Sequence, residues 1–386
     1  MPPASRVGFR RSRHLVSYWQ DSELLVHNYA TGVRVAVKPE TPVVLAFFHT
    51  WRTLDEARAR FGASSRSLAP LVAATLLERS DQPPSARAEA LAEWKDWNPV
   101  AGFFHTATRG STYMDSVVVD RALRRKARVE PLPPPVKRIP GAKQFALPRL
   151  QADRPLSRVL LERRTWRTFS PKPLPLASLG HLLGWTTGVQ HWATVRGQGD
   201  LPLKTSPSGG ARHPLEVYVC ARHVEGLGPG IYHYAADRHR LELIAPHTRR
   251  VRVQRYFPGQ FWYEGAPALV FFSAVFSRYL WKYTTARAYR GVLIEAGHQC
   301  QTFCLAATDL GLAPFCTMAL HDSHIETDLG IDGVSEAVVY AAGVGVRPKN
   351  TTSPSRPTGY PPLQVRPNPW ILDAESRRVP VTRRHR

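Results

Sequence analysis

Residues 280–315, LWKYTTARAYRGVLIEAGHQCQTFCLAATDLGLAPF, contain the pattern that decides the fold. Apolar residues recur at one-face spacing from Tyr289 to Leu310 and Gly311 follows, which predicts a core helix that ends at the glycine. The apolar face comprises Val292, Leu293, Ala296, Cys300, Phe303, Cys304 and Ala307. The polar flank on the opposite side comprises Glu295, His298, Gln299 and Thr302.

The dipeptide Lys282–Tyr283 precedes this helix. An ammonium group beside a phenol can lower the pKa of the phenol and turn it into a proton acceptor near neutral pH. The same dipeptide also fits an ordinary surface position, where the lysine stem lies along apolar surface. The choice between these interpretations depends on the rest of the chain.

The composition indicates a folded chain with a strong positive charge. Its 386 residues and 43% hydrophobic content allow one large domain and one smaller domain. No apolar run approaches the roughly 18 residues of a membrane span, and the basic N-terminus lacks a signal-peptide core. We therefore expect a cytoplasmic protein without a membrane partner. The net charge of +22 suits acidic partners and also suits solvated basic tails.

The four cysteines are Cys220, Cys300, Cys304 and Cys316. Cys300 and Cys304 are one helical turn apart on the apolar face, which favours packing over redox chemistry. No other Cys or His stands at a convincing spacing for a zinc ligand. We expect reduced, structural thiols and no metal.

Residues 1–90 predict a small winged-helix domain, in which a hairpin at Leu24–Val37 precedes three short helices. These helices are Pro42–Phe48, a helix from the capping box Thr53–Glu56 to Gly62, and Ser67–Arg79 with Ser67 as N-cap and Pro70 in the first turn. Such a module can bind DNA, capture an extended peptide at its sheet edge, or serve only as a structural or dimerisation arm. The last helix offers few side chains suited to base edges, which argues against nucleic acid.

Residues 91–155 form a connector between two domains. Its aromatic-rich part, Glu93–Tyr113, is expected to pack on the following domain, and the prolines between Pro131 and Pro148 predict an extended segment. Leu156–Phe169 then predicts a helix that ends in the basic block RRTWRTF (163–169). The three guanidinium groups of this block suit bidentate phosphate binding, or else form an exposed basic helix end.

Residues 206–212, SPSGGAR, predict a loop whose glycines let a flat ligand approach the backbone. A helix is predicted before it, from Leu176 to Leu183, followed by an irregular stretch that contains Trp185 and Trp192. Strands are predicted at Glu216–Ala221, Gly230–Tyr234, Leu241–Ile244, Ala268–Ala274 and Ala337–Gly343.

Five blocks in this order resemble the SagB/McbC-type dehydrogenases, an FMN-dependent branch of the nitroreductase superfamily. The blocks are RRTWRTF (163–169), SPSGGARHPLEVYV (206–219), GIYHY (230–234), WKYTTARAYRGVLIEAGHQCQ (281–301) and LAATDLGL (305–312). The resemblance implies an α+β fold with a nitroreductase-like FMN domain at 156–350, built on a mixed central sheet flanked by helices. The winged-helix domain at 1–90 and the connector at 91–155 would precede it, and a Pro/Arg-rich tail would follow at 351–386.

The resemblance also implies roles for individual residues. Lys282 and Tyr283 occupy the catalytic position, and either could be the base. FMN would be held at its phosphate and ribityl chain by Arg163, Arg164, Thr165 and Arg167, and along the flavin by Ser206, Ser208, Gly209 and Gly210, with Met318 and Ala319 as further candidates. Thr165 stands where Ser is usual, and His213 replaces a frequent aromatic or apolar residue, which leaves the substrate open.

The implied reaction is oxidation of thiazoline or oxazoline rings to thiazoles or oxazoles in a ribosomally made peptide. A ring proton leaves to a base while FMN accepts a hydride. The resemblance further implies a homodimer, a precursor peptide whose leader the N-terminal module could bind, and a cyclodehydratase partner. The alternatives are an FMN-dependent dehydrogenase for a carrier-bound or small-molecule intermediate, and a DNA-binding protein whose flavin domain senses a ligand.

Overall fold

The computed structural model describes residues 7–110, 113–114, 116–131, 134–137, 143, 146–148, 150–151, 154–246, 252–349 and 371–372. Helices and strands are interspersed along these residues, which confirms the predicted α+β class. Of the tail predicted at 351–386, only Ile371–Leu372 is described, so the remainder of that prediction lies outside the described residues.

The N-terminal region contains short strands and three helices. The strands are β1 (Gly8–Arg11), β2 (Leu15–Gln20), β3 (Glu23–Asn28), β4 (Val33–Val37), β5 (Arg52–Thr53) and β6 (Leu77–Arg79), and the helices are α1 (Thr41–Phe47), α2 (Leu54–Phe61) and α3 (Ser65–Ala73). The predicted hairpin is the second half of an antiparallel meander, β2-β3-β4, and β1 pairs with β5 and β6 in a separate sheet. The winged-helix assignment of this region stays a prediction.

Local capping chemistry determines where α2 begins and ends. The Thr53 hydroxyl accepts a hydrogen bond from the Glu56 amide, and the Glu56 carboxylate accepts one from the Thr53 amide, as the capping box predicts. Gly62 ends the helix in the left-handed conformation, at φ +65°. Both boundaries of α2 therefore follow the sequence.

The prediction for α3 was wrong at both ends. Ser64, rather than Ser67, caps the helix, because the two serines exchange hydrogen bonds in a capping arrangement. Pro70 therefore lies inside the helix and not in its first turn. The residues predicted as its last turn form β6, which pairs with β1.

The connector contains α4 (Ala86–Ala92), α5 (Val100–Ala107), α6 (Ser116–Val129) and β7 (Leu150–Gln151), and β7 pairs in parallel with β16 (Ile371–Leu372). Its aromatic part packs on the following domain, as predicted. Trp94 and Trp97 are buried against Phe276 and Tyr289, and Tyr29 of the N-terminal region belongs to the same cluster. This shared aromatic core joins three parts of the chain.

The C-terminal region is built on a six-stranded sheet in the order β12-β11-β10-β13-β15-β14. Its strands are β10 (Leu215–Ala221), β11 (Gly230–Ala235), β12 (Arg240–Pro246), β13 (Ala268–Val275), β14 (Leu312–Thr317) and β15 (Glu336–Val346). All five pairings of the sheet are antiparallel among the described residues, so the predicted mixed arrangement was wrong. β14 was not predicted, and β8 (His191–Val195) and β9 (Gly199–Leu203) form a hairpin where an irregular stretch was expected.

Helices pack on this sheet and bury its apolar side chains. The helices are α7 (Pro155–Glu162), α8 (Leu176–Thr187), α9 (Ser277–Leu280), α10 (Ala288–Asp309) and α11 (Asp322–Leu329). The predicted core helix is α10, which packs with α8 on one face of the sheet, and α11 belongs to a second core cluster with residues of the opposite face. The predicted helix at 156–169 was too long, because α7 ends at Glu162 and the basic block follows it as irregular chain.

Candidate active site

The Ser-Gly loop and the Lys-Tyr dipeptide, 70 residues apart in sequence, meet in the structure. Gly210 has φ +58°, and a Cβ at this position would collide with Lys282 Nζ and lie 2.9 Å from Lys282 Cε. A Cβ on Gly209 would lie 3.3 Å from the hydroxyl oxygen of Tyr283. The structure therefore brings these four residues together, and the catalytic and cofactor-binding roles that the family resemblance implies for them stay predictions.

A buried carboxylate holds the loop in this place. Glu295 Oε1 accepts a hydrogen bond of 2.7 Å from the Gly209 amide and a second one from the Tyr279 hydroxyl. The Tyr279 ring lies 5.1 Å from the Tyr283 ring, centroid to centroid. Glu295 Oε2 and Gln299 Oε1 are buried and have no hydrogen-bond partner among the described residues. Glu295 and Gln299 on the polar flank of α10 are therefore buried, and the sequence pattern did not predict this burial.

The connector also contacts this site. The indole N–H of Trp97 donates a hydrogen bond of 2.8 Å to the main-chain carbonyl of Tyr283. Trp97 is fully buried, whereas no local feature of its sequence distinguishes it from the other tryptophans. Sequence reasoning missed Trp97 and Tyr279 as site residues, because their partners lie far away along the chain.

The two serines of the loop have structural partners. Ser206 Oγ lies 3.0 Å from Thr302 Oγ1 on α10, and Ser208 Oγ accepts a hydrogen bond of 2.8 Å from the His213 amide. Both hydroxyl groups therefore hold the loop in shape.

The basic block after α7 forms a second group of candidate residues. The Arg164 guanidinium donates to the carbonyls of Leu161 and Arg163 and thereby caps the helix end. Arg163 and Arg167 form no ion pair with any described residue. Thr165 lies half-buried between them.

Trp166, at the centre of the block, is buried, and its indole N–H has no hydrogen-bond partner among the described residues. The Arg347 guanidinium lies 5.2 Å over the Trp166 ring and donates to the carbonyl of Leu312. Arg347 had not been predicted as part of this group, because 180 residues separate it from Trp166. Two unpaired guanidinium groups and one unpartnered indole N–H are a donor set that fits a phosphate-bearing cofactor.

The two groups lie on opposite sides of α10. Ser206 reaches Thr302, whereas the positive charge of Arg163 acts on Cys304 and Cys316. Thr302 and Cys304 are two residues apart and therefore about 200° apart around the helix.

The remaining cofactor candidates lie beyond β14. Met318 is exposed, and its carbonyl accepts a hydrogen bond from the Tyr113 hydroxyl. Ala319 is half-buried, its amide donates to Thr317 Oγ1, and its carbonyl accepts from Gln260. The backbone polar groups of Ala319 are thus already satisfied within the chain.

Three of the four cysteines meet beside the basic block. The Sγ atoms of Cys300, Cys304 and Cys316 all lie within 4.8 Å of one another, so they could hold a soft metal ion. Hydrogen bonds from Cys300 and Cys304 lower the pKa of the Cys316 thiol. Sequence spacing identified the helical pair but missed Cys316, because that residue reaches the pair from β14. The expectation of reduced, metal-free thiols stays a prediction.

The sequence similarity of this α+β domain makes the chain an oxidoreductase. More specifically, the chain belongs to the nitroreductase family. The sequence profile of that family matches residues 160–346. A protein of Methanocaldococcus jannaschii described as a nitroreductase is 34% identical over 176 residues, which are 46% of this chain and 84% of that protein.

Two further relatives are peptide-processing proteins. The trifolitoxin-processing protein TfxB of Rhizobium leguminosarum is 28% identical over 175 residues, which are 44% of this chain and 47% of that protein. The microcin B17-processing protein McbC of Escherichia coli is 31% identical over 132 residues, which are 33% of this chain and 48% of that protein. The chain thus spans about half the length of these two relatives. None of its described helices has both the length and the apolar character that a membrane crossing requires.

Proposed function

We propose that this protein is an FMN-dependent dehydrogenase that oxidises azoline rings in a ribosomally made peptide. The observation that carries the proposal is the approach of Lys282 and Tyr283 to Gly209 and Gly210, because it combines a proton acceptor with a loop that a flat ligand can approach. The similarity to two proteins that process the peptides trifolitoxin and microcin B17 supports the substrate class.

The residues that would hold FMN divide into two sets. Arg163, Thr165 and Arg167 would bind the phosphate and ribityl chain, and the unpartnered indole N–H of Trp166 adds a donor close by. Gly209 and Gly210 would lie along the flavin. Arg164 is a weaker candidate, because its guanidinium already caps α7. When bound, FMN supplies the two-electron acceptor that ring aromatisation requires.

A second copy of the chain would complete the cofactor site. The basic block and the Ser-Gly loop lie on opposite sides of α10, so one copy would supply the phosphate-binding block and its partner the loop. In the proposed homodimer, the basic block of one chain and the Ser-Gly loop of its partner would therefore bind the same FMN.

The Lys-Tyr pair would remove the ring proton. Tyr283 is the proposed base, and Lys282 Nζ lies 5.8 Å from the centroid of the Tyr283 ring. Glu295 and Tyr279 fix the loop opposite the pair, and Trp97 holds the Tyr283 main chain. If neutral Lys282 is the base instead, Lys282→Ala is the variant that should abolish oxidation.

The test combines cofactor identification with oxidation assays. Purified protein should absorb as a flavoprotein and release a cofactor with the mass of FMN. It should also convert a thiazoline- or oxazoline-containing peptide to the azole with loss of two mass units, about the mass of two hydrogens. Tyr283→Phe should abolish oxidation with FMN retained, whereas Lys282→Ala should slow oxidation without abolishing it if Tyr283 is the base. Full oxidation by both variants would rule out the assignment.

The N-terminal region would bring the peptide to this site. Strand β4 pairs with β3 and has no partner on its other edge among the described residues, so an extended leader segment could add there as a further strand. A cyclodehydratase partner would form the azoline beforehand. A leader peptide added in trans should then accelerate oxidation of a leaderless substrate; equal rates with and without it would exclude this role.

A further inference from the structure

A cleft of about 820 Å³ opens beside the Ser-Gly loop, with Ala211 and Arg212 of that loop in its lining. The β8–β9 hairpin forms one wall, and Trp192 of that hairpin and Trp281 face the cleft as flat apolar surfaces. Trp281 directly precedes the proposed catalytic pair, Arg212 is the last residue of the loop, and His213 directly follows it. The cleft is therefore contiguous with the proposed active site, although no step proposed so far uses it.

The carboxylates of the cleft are already engaged. Glu216 accepts from the Arg278 guanidinium and from His233, whose pKa hydrogen bonding to Glu216 raises to about 9. Asp237 pairs with Arg238, and Asp200 accepts a hydrogen bond from a threonine hydroxyl. The acidic groups therefore leave little free acceptor capacity for a cationic ligand.

Two cations of the cleft lack a carboxylate partner. Lys204 forms no hydrogen bond or ion pair with any described residue, and Arg212 has only the amide of Gln198 as side-chain partner while its Nε is buried without a hydrogen bond. The Arg212 guanidinium stacks 4.2 Å over the Trp281 ring. These groups offer charged donors at one position, which is the donor set for an anion.

His213 adds an acceptor to these donors. Its side chain is only 4% exposed, and its Nδ1 has no partner among the described residues. Burial lowers the His213 pKa to about 4, so the ring is neutral and its unpartnered Nδ1 can accept a hydrogen bond. A ligand that pairs with Lys204, Arg212 and His213 therefore carries an anionic group and a nearby N–H group.

We propose that this cleft binds a carboxylate of the peptide substrate through Lys204 and Arg212, while His213 Nδ1 accepts a neighbouring peptide N–H. The inference rests on the proposed peptide oxidation and specifies its substrate as an acidic peptide segment next to the ring. Inorganic phosphate would supply the anion but not the N–H donor that His213 Nδ1 requires.

The test is calorimetric binding of three N-acetylated peptides that match in length. One carries a glutamate side chain and a C-terminal amide, one the isosteric glutamine and an amide, and one the glutamine and a free C-terminal carboxylate. We expect at least about tenfold tighter binding for one carboxylate peptide than for the neutral one, the loss expected from one charge-assisted hydrogen bond. The tighter of the two identifies the side chain or the C-terminus as the source.

Variants of Lys204 test the site itself. Lys204→Met should weaken the carboxylate peptide about tenfold, Lys204→Arg should preserve binding, and the exposed Lys172→Met is the matched control. Equal affinity for all three peptides, no binding of any, or an unchanged affinity in Lys204→Met would overturn the proposal. The assay involves no turnover, so a negative result here leaves the oxidation test of Lys282 and Tyr283 intact.

Discussion

The indole N–H of Trp97 donates a hydrogen bond of 2.8 Å to the main-chain carbonyl of Tyr283, 186 positions further along the chain. Through this contact a buried residue of the connector fixes the backbone of the proposed base. The position of Tyr283 therefore depends on a segment outside the family-matched residues 160–346.

Trp97→Phe removes this donor and leaves the Tyr283 carbonyl without its partner. The expected loss in the free energy of unfolding is about 1–3 kcal/mol, the penalty for an unsatisfied buried polar group. Oxidation should slow while the bound flavin is retained. Chemical denaturation and single-turnover kinetics measure the two effects. The exposed Trp19→Phe is the control, and equal behaviour of the two variants would contradict a positioning role for Trp97.

Gly210→Ala tests the close approach of the loop to Lys282. The added methyl group would displace the lysine side chain, whereas Gly197, with φ +76°, has no atom within 4 Å of its virtual Cβ. Both substitutions carry the left-handed penalty of roughly 1–2 kcal/mol, so both should lower the melting temperature. Only Gly210→Ala should lose oxidation. Comparable activity of the two variants would show that the contact with Lys282 is dispensable.

Glu295→Leu removes the acceptor that Gly209 and Tyr279 share. The Gly209 amide then keeps only its 3.2 Å hydrogen bond to the Tyr279 hydroxyl, and that hydroxyl loses its acceptor. We expect a stability loss of roughly 1–3 kcal/mol together with weaker flavin retention. Glu295→Gln keeps a carbonyl oxygen at this position and should preserve most of both properties. Thermal unfolding and flavin release by dialysis distinguish the variants, and a stable, flavin-loaded leucine variant would contradict the loop-holding role.

Arg163→Ala and Arg167→Ala should purify with little or no flavin, because each removes a guanidinium without an ion-pair partner among the described residues. Arg158→Ala, on the exposed part of α7, is the control and should remain yellow. The flavin-to-protein absorbance ratio measures the effect. Full flavin content in both test variants would show that the flavin phosphate does not bind at this block.

Burial lowers the pKa of Lys204 to about 8, from 10.5 for an exposed lysine. Between these pH values the unfolded chain binds more protons than the folded chain, so this residue makes the free energy of unfolding rise with pH. Lys204→Met should therefore raise the melting temperature near pH 7, and the gain should shrink as the pH passes through this window. A gain independent of pH would show that the lysine is not desolvated; Lys172→Met is again the control.

Local patterns in the sequence predicted the elements whose boundaries depend on neighbouring residues. The apolar period of α10, the capping box at Thr53 and the hairpin β11–β12 are of this kind, and all three are confirmed. The pairing of the Ser-Gly loop with Lys282 was reached through the family resemblance, and the geometry reproduces it.

The sequence-based predictions failed for residues whose partners are distant along the chain. Leu293 was assigned to the apolar face of α10 but is 39% exposed, whereas Glu295 is only 4% exposed because Gly209 and Tyr279 satisfy its oxygen. A polar residue buried by tertiary hydrogen bonds has the same sequence signature as one in solvent. Cys316 joins the cysteine pair from β14 for the same reason, since sheet neighbours have no fixed spacing along the chain.

The shared aromatic core around Trp94 and Trp97 sets a limit on chimaeric enzymes. A construction that exchanges the N-terminal region as a cassette, with its cut anywhere between Tyr29 and Phe276, divides a single packed cluster. The exchanged and the retained residues of the cluster would then not pack together, and the disturbance would extend through Trp97 to Tyr283. A workable exchange must carry residues 86–107 with the cassette and transplant the facing surface of the oxidoreductase domain too.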